Sequence, residues 1–341
     1  EAASLYFIVH VTLNMLPITK IPESRIKKTI QINYRSDLED FLMLFGEEQT
    51  CLPSITQKFA TEIDNFAVRN DDVIVASFPK AGTTWTQEMV WSIKNRANFE
   101  GASLNIYQRF PMLEACGLPS LLTTGEPFIL NSLEYLGQIK GQRLIKTHLP
   151  FSLLPKDIQL QRKSPKIIYV VRNPKDVFIS YFNHTRIIDG FKGNLEDFAD
   201  LFLSDSVVFA PFWKHVFGFY NRKDLPNVLI LKYEDMKKNL KSEIVRVSQF
   251  LEEKPLTDDE LTLIGRRLDF NFMKNNPSVN HQCFSDEMKR KNHQLEGDFM
   301  KSGSVGGYKR EMTDEMVQKF DRWIEENITD TELYEKYWFG A

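Results

Sequence analysis

The chain has 341 residues, of which 42% are hydrophobic and 26% charged, with a formal net charge of −3; this length suits one large α/β domain or two small ones. The near-neutral balance excludes a chain built as a whole to bind nucleic acid or an acidic membrane, while leaving room for a local basic pocket. Three widely spaced cysteines, Cys51, Cys116 and Cys283, offer neither a disulfide framework nor a zinc site, so a cytoplasmic, metal-free protein is expected.

Ala2 to Ile18 is mostly apolar but interrupted by His10, Thr12 and Asn14. It is short for a membrane span of about 20 apolar residues. Glu1 stands where a signal peptide would have a basic region. The segment is read as non-targeting, with no stable membrane association; a signal or anchor is the alternative. Residues 1–70 are taken as an N-terminal segment, with disorder in part of it left open, and 71–341 as a single domain.

Asp72–Phe78 reads as a buried strand. A tight loop holding Lys80 and Gly82 follows, and then a helix over Thr84–Asn95 with Trp85, Met89, Val90 and Ile93 on one face. Arg143–Thr147 is a short strand running into His148. Lys166–Arg172 is almost wholly apolar, as a central parallel strand should be. Asn173 is an N-cap with Pro174 at the first helical position, opening a helix to about Arg186. Val228–Tyr233 is a fourth strand, and helices follow around Ser242–Leu251 and Thr313–Asn327. The polar stretch Asn275–Gly307 reads as largely loop. This alternation predicts an α/β fold with a central, mainly parallel β-sheet flanked by helices on both faces. Lys80, His148, Arg172 and Tyr233 each follow or close a strand, and open α/β sheets bind ligands outside the carboxyl ends of their strands.

The loop Phe78–Trp85 points free N–H groups, a positive helix end, one lysine and two threonine hydroxyls at one spot. That chemistry suits a phosphate or another tetrahedral oxyanion in a P-loop-like cradle; a purely structural connection is the alternative. It is not a Walker A loop, because Lys80 precedes Gly82, and no acidic metal ligand is near. Lys146 and His148, two apart at a strand end, face one way. A neutral imidazole beside a lysine suits a general base, since positive neighbours disfavour the imidazolium; a structural histidine is the alternative. Arg172 and Ser180, two helical turns apart, suit a second phosphate, unless Arg172 pairs with a surface carboxylate. Trp85 and Phe270 suit either core packing or the two faces of an adenine. Asn183-His184-Thr185 and Asn327-Ile328-Thr329 match the glycosylation pattern, which short matches do often by chance.

Five motifs occur in one order: Phe-Pro-Lys-Ala-Gly-Thr-Thr-Trp (78–85), Lys-Thr-His-Leu-Pro (146–150), Arg-Asn-Pro-Lys-Asp-Val and Ser-Tyr (172–181), Tyr-Glu-Asp-Met (233–236) and Phe-Met-Lys-Ser-Gly (299–303). In this combination the chain, from about Asp72 to Trp323, resembles the cytosolic sulfotransferase family. The runs Thr86–Trp91 and Asn98–Ala102 resemble its insect members in particular. The resemblance implies transfer of a sulfuryl group from 3′-phosphoadenosine 5′-phosphosulfate (PAPS) to an alcohol, phenol or amine, leaving adenosine 3′,5′-bisphosphate (PAP), with no metal. Lys80, Ala81, Gly82, Thr83, Thr84 and Trp85 would hold the phosphosulfate. Arg172 and Ser180 would hold the 3′-phosphate, helped by Lys301, Ser302 and Gly303. Trp85 and Phe270 would flank the adenine, with Tyr233 at its polar edge and Met273 a further cofactor-binding candidate. His148 would be the base, and Lys80 and Lys146 would stabilise charge on the transferring and leaving groups.

The acceptor is expected beside His148, as a small hydrophobic phenol, steroid, retinoid or other alcohol. Candidate walls are Tyr107, Phe110, Pro111, Met112, the segment Leu118–Leu130, Phe182 and His184. Three positions depart from the family pattern. Ala81 replaces a serine or cysteine, so weaker control of the anion is expected. Lys301-Ser302-Gly303 replaces Arg-Lys-Gly, one charge fewer. Asp314 replaces a valine in the dimer motif of Lys309, Thr313 and Gln318, which leaves a dimer open. The alternatives in function are a dehydratase of the same fold acting through a transient sulfate ester on a retinoid-like alcohol, a non-catalytic nucleotide- or lipophile-binding protein, and a membrane-anchored Golgi enzyme.

Overall fold

Four strands run parallel through the middle of the molecule in the computed structural model, which describes residues 16–34, 40–281 and 303–328. They follow a three-stranded antiparallel sheet of β1 (Ile18–Lys20), β2 (Leu42–Phe45) and β3 (Thr50–Pro53), in that order. The parallel strands are β4 (Val73–Ser77), β5 (Leu144–Thr147), β6 (Lys166–Val171) and β7 (Val228–Lys232), in the order β5-β4-β6-β7. Every residue of β4 is buried, as is every residue of β6 after Lys166. Helices on both faces demand such continuous apolar runs. The chain leaves β4 toward β5 and returns on the other side of β4 as β6. That reversal makes the carboxyl end of β4 a topological switch point, where such sheets bind ligands.

Register sets the site. Val75 lies opposite Lys146 and Ile168, and Ile168 opposite Leu229. The segments after Ser77, Thr147, Val171 and Lys232 therefore emerge along one edge. At the opposite edge, Arg143 Nε and Nη2 donate to the two oxygens of Asp72 at 2.7 and 2.5 Å, with both side chains buried.

The helix Thr83–Lys94 buries Met89, Val90 and Ile93 completely. The helix Pro174–His184 begins with Asn173 Oδ1 accepting the Lys175 N–H at 3.0 Å and Pro174 at its first position. It does not end at Arg186: it passes into a π turn over Thr185–Asp189, closed by Gly190 at φ 70°. The helix Asp314–Asn327 sets Phe320 and Trp323 into an aromatic layer with Phe178, Phe202 and Phe212. Thr313 caps it, and Asp314 fills its first turn, where a carboxylate suits the helix dipole.

The antiparallel sheet had no clear signal in the sequence. Its third strand docks on the far part of the chain: Cys51 N–H donates to Ala210 O at 2.8 Å, and Phe209 N–H to Cys51 O at 2.7 Å. This brings Pro53 and Phe41 against the central sheet's ligand edge. The apolar residues 1–15, most of the expected loop up to 302, and Thr329 of the second glycosylation pattern lie outside the described residues. Among the described residues no helix is long and apolar enough to cross a membrane.

Candidate active site

A cavity of about 420 Å³ opens along the carboxyl edge of the parallel sheet. The turn after β4 forms its floor. Lys80 has φ 68° and Gly82 φ 113°, both in the left-handed region. A Cβ on Gly82 would meet the Tyr233 ring at 2.7 Å, so only glycine fits there. The helix that follows has no side chain capping its first turn and no acidic residue in it. Its leading N–H groups, with Lys80, Gly82, Thr83, Thr84 and Trp85, face the cavity. Thr83 Oγ1 lies 2.6 Å from Ser77 Oγ, which fixes its rotamer. Ala81 does not join them. Its side chain is 2% exposed in the core, and its N–H is spent on Phe78 O at 3.3 Å.

Lys146 and His148 line the same cavity. His148 Nδ1 lies 2.8 Å from Ser77 O, so this nitrogen carries the proton and Nε2 holds the lone pair. Burial, then the Lys146 charge, pushes the imidazolium well below its ordinary range and keeps the ring neutral. The backbone around it is clamped on both sides. Glu114 accepts the His148 N–H at 2.6 Å and the Thr147 hydroxyl at 2.9 Å. His215 Nε2–H donates to His148 O at 2.9 Å, while His215 Nδ1 pairs with Tyr169 OH at 3.0 Å. Burial raises the Glu114 carboxyl to about 7 against these hydrogen bonds. Glu114 is a lone carboxylate in the apolar run from Phe110 to Cys116, the one sign in the sequence that could have revealed it. His215, inside an aromatic run, had none.

The cations act on one another. Burial, then Lys146 and Arg172, lowers the Lys80 ammonium to about 7. Burial lowers Lys146 to about 8, against the Glu114 charge. Lys146 Nζ also sits 5.2 Å from the centre of the Tyr107 ring. The Arg172 guanidinium lies 4.3 Å over Tyr233 and donates to Lys80 O at 3.1 Å and Ser304 O at 3.0 Å. Its buried Nε has no protein partner among the described residues.

The far wall is built by loops. Tyr233 OH donates to Gly303 O at 2.9 Å. Asp176 accepts the N–H groups of Gly306 and Tyr308 at 2.8 and 3.0 Å. Gly303 has φ 59°, and a Cβ there would strike the Phe270 ring at 2.5 Å. Trp85 Nε1 donates to Leu268 O at 2.9 Å, and its ring meets Tyr233 edge-on. Arg172, Ser180, Tyr233, Phe270, Met273 and Gly303 all line the cavity. Lys301 and Ser302 lie outside the described residues.

Of the expected acceptor walls, Tyr107, Met112, His184 and the start of the Leu118–Leu130 segment reach the cavity. Phe110 and Phe182 do not line it. Phe110 is fully buried in the core, its carbonyl accepting from Gln87. Phe182 is two residues from Ser180 on one helix, hence on the opposite face, and packs on Phe191 and Phe198. Asn183, of the first glycosylation pattern, faces the cavity and donates to Ile179 O at 2.9 Å. Among the described residues no cluster of histidine, cysteine or acidic side chains could hold a metal.

Known proteins match this chain over most of its length. Luciferin sulfotransferase of Photinus pyralis is 43% identical over 310 residues, 88% of this chain and 84% of that protein. Amine sulfotransferase of Oryctolagus cuniculus is 36% identical over 284 residues, 82% and 88% of the two chains. Among solved structures, retinol dehydratase in complex with androsterone and the inactive cofactor PAP superposes with a TM-score of 0.81 at 27% identity, covering 92% of this chain and 96% of that one. A sequence model described as the sulfotransferase domain matches residues 70–332. With that match spanning both the parallel sheet and its ligand edge, the chain belongs to the sulfotransferase family.

Proposed function

We propose that this sulfotransferase moves the sulfuryl group of PAPS to the hydroxyl of a small hydrophobic acceptor, with His148 as general base. The observation that carries this reading is the meeting, in one cavity, of a neutral imidazole, mutually repelling cations and an apolar wall. The donor set fits a doubly phosphorylated nucleotide. An uncapped helix start, two glycines with no room for a Cβ, and a buried Arg172 Nε without a partner all ask for an anion beside them.

In-line transfer of a charged tetrahedral group needs mainly positioning and electrostatic stabilisation. PAPS, when bound, supplies an activated sulfuryl group on an acidic leaving phosphate. The first helical turn and Lys80 would hold the phosphosulfate. Arg172 and Ser180 would hold the 3′-phosphate, with Trp85, Phe270, Met273 and Tyr233 around the adenine. His148 Nε2 takes the acceptor's hydroxyl proton as the oxygen attacks sulfur. The Ser77 carbonyl, bonded to Nδ1–H, orients the ring and favours the imidazolium formed. Glu114 and His215 are positioning residues that hold the His148 backbone. Lys80 and Lys146, fully charged against the anion, would stabilise the negative charge that develops on the leaving phosphate oxygen as its bond to sulfur breaks.

The test is incubation with PAPS and a panel of phenols, steroids and retinoids. A sulfate ester should form with an equal amount of PAP; transfer to no member of the panel overturns the reading. The likeness to retinol dehydratase favours a second reading, in which the ester eliminates to an alkene. Mass spectrometry of the product from a retinoid alcohol separates the two. We also propose a cytoplasmic site of action, which suits the buried free thiols Cys51 and Cys116 and which cell fractionation tests.

A further inference from the structure

Asp189 closes the π turn after the helix Pro174–His184 and lines the same cavity as His148. Single π turns are rare and are frequently found at functional sites. This one sets Asp189 beside Ile187 and Ile188; Leu121, Val208 and Phe209 line the same cavity, Phe209 with its ring centre 5.5 Å from that of His148. Lys80 and Lys146 bear on His148 and His184, whereas Asp189 bears on Tyr34 and Tyr181. The Ser120 hydroxyl, also on the cavity wall, favours the ionised form of Asp189, and among the described residues no lysine or arginine does so. Burial raises its carboxyl to about 6, which leaves it mostly ionised at neutral pH. An ionised carboxylate in apolar surroundings without a counter-charge is costly unless a ligand brings the donor.

We propose that Asp189 selects the acceptor, by taking a hydrogen-bond donor carried at the end opposite the hydroxyl that His148 deprotonates. The acceptor class is then an apolar phenol or alcohol with a second polar end, an ammonium or a hydroxyl. The orientation of that acceptor rests on the sulfotransferase reading above.

Three matched phenols, with para side chains ending in methyl, hydroxyl or ammonium, provide the probe. Each is titrated onto PAP-loaded wild type, Asp189→Asn and Asp189→Leu, and separately assayed for sulfation with PAPS. Wild type should bind the two donor-bearing phenols about 10-fold more tightly than the methyl compound, as a hydrogen bond to a charged group allows. Asp189→Asn should keep the hydroxyl preference and lose that for ammonium. Asp189→Leu should bind the methyl compound best, with its affinity for PAP unchanged as the sign of an intact fold. If Asp189→Leu does not fold, loss of the ammonium preference in Asp189→Asn decides the matter. The same ranking of the three phenols in the variants as in wild type overturns the proposal. Ranked binding with sulfation of none supports the role of Asp189 and counts against the sulfotransferase reading alone.

Discussion

At the amino end of the parallel sheet Arg143 holds both oxygens of Asp72 and also reaches Ala67 O at 2.8 Å, with neither side chain more than 1% exposed. At the carboxyl end Lys80, Lys146 and Arg172 crowd together, and their mutual repulsion adds to burial in lowering the Lys80 ammonium. One sheet thus carries two kinds of buried charge. A charge buried with its full set of partners belongs to the frame, and removing one partner strands the other. Like charges buried together are stable only once an anion arrives, which is why perturbed titration marks a site.

The largest expected effect lies at the carboxyl end. His148→Ala should cut turnover by about 10²–10⁴-fold, the usual contribution of a general base. Affinity for PAP should stay, because the proposed role gives the imidazole to the acceptor and not to the nucleotide. Single-turnover kinetics and nucleotide titration check both; wild-type turnover in this variant removes His148 from the mechanism. At the amino end Asp72→Asn should cost about 3–5 kcal/mol of stability, as expected when one partner of a buried ion pair is lost. Urea denaturation measures it. The folded fraction should still bind PAP normally. If Asp72→Asn instead weakens PAP binding in folded protein, the two ends are coupled and the contrast fails.

Lys80 offers a finer test. In the empty protein it titrates near 7 and Lys146 near 8, against an ordinary 10.5. A bisphosphate favours the charged ammonium, so binding raises both values. Below pH 7 both states already hold the Lys80 proton. Above it, binding must take a proton up, and affinity falls as pH rises through 7 and 8. Calorimetry at pH 8 in buffers of different ionisation enthalpy should report uptake of about one proton per PAP. Lys80→Met should lose most of that uptake. Heats that do not depend on buffer would mean that Lys80 and Lys146 already carry their protons before ligand arrives.

Much of this contrast was legible in the sequence, for identifiable reasons. β4 up to Ser77 and β6 after Lys166 are almost wholly apolar, as strands buried on two faces must be, and parallel strands send their carboxyl ends to one edge. That alone gathers Lys80, His148, Arg172 and Tyr233. Asn173-Pro174 marked a helix start by its own chemistry. The antiparallel sheet was not legible. Its strands have three or four residues, and they are fixed by Cys51 pairing with Phe209 and Ala210 more than 150 residues away. Phe110 and Phe182, expected as acceptor walls, do not line the cavity, because an aromatic ring carries no local sign of whether it meets a core or a cavity. The π turn at Thr185–Asp189 also lacked a signal, and with it the position of Asp189.

The smallest effect belongs to Ala81, where the sequence suggested a lost hydroxyl and weaker control of the anion. Lys80 and Gly82, both at positive φ, turn the chain on either side of it and leave its methyl 2% exposed in the core. Its N–H is held by Phe78 O. The open donors lie further on, in the helix that starts at Thr83. A serine at 81 would thus place its hydroxyl among apolar side chains and away from the cavity, where it must find a new partner. Ala81→Ser should change PAP affinity by less than about threefold and lower stability by on the order of 1 kcal/mol. Calorimetry and a melting curve measure the two. A tenfold tighter complex would mean that residue 81 turns toward the anion on binding. Local rearrangement of the loop would then belong to the carboxyl end's response to its ligand, alongside the return of charge to Lys80.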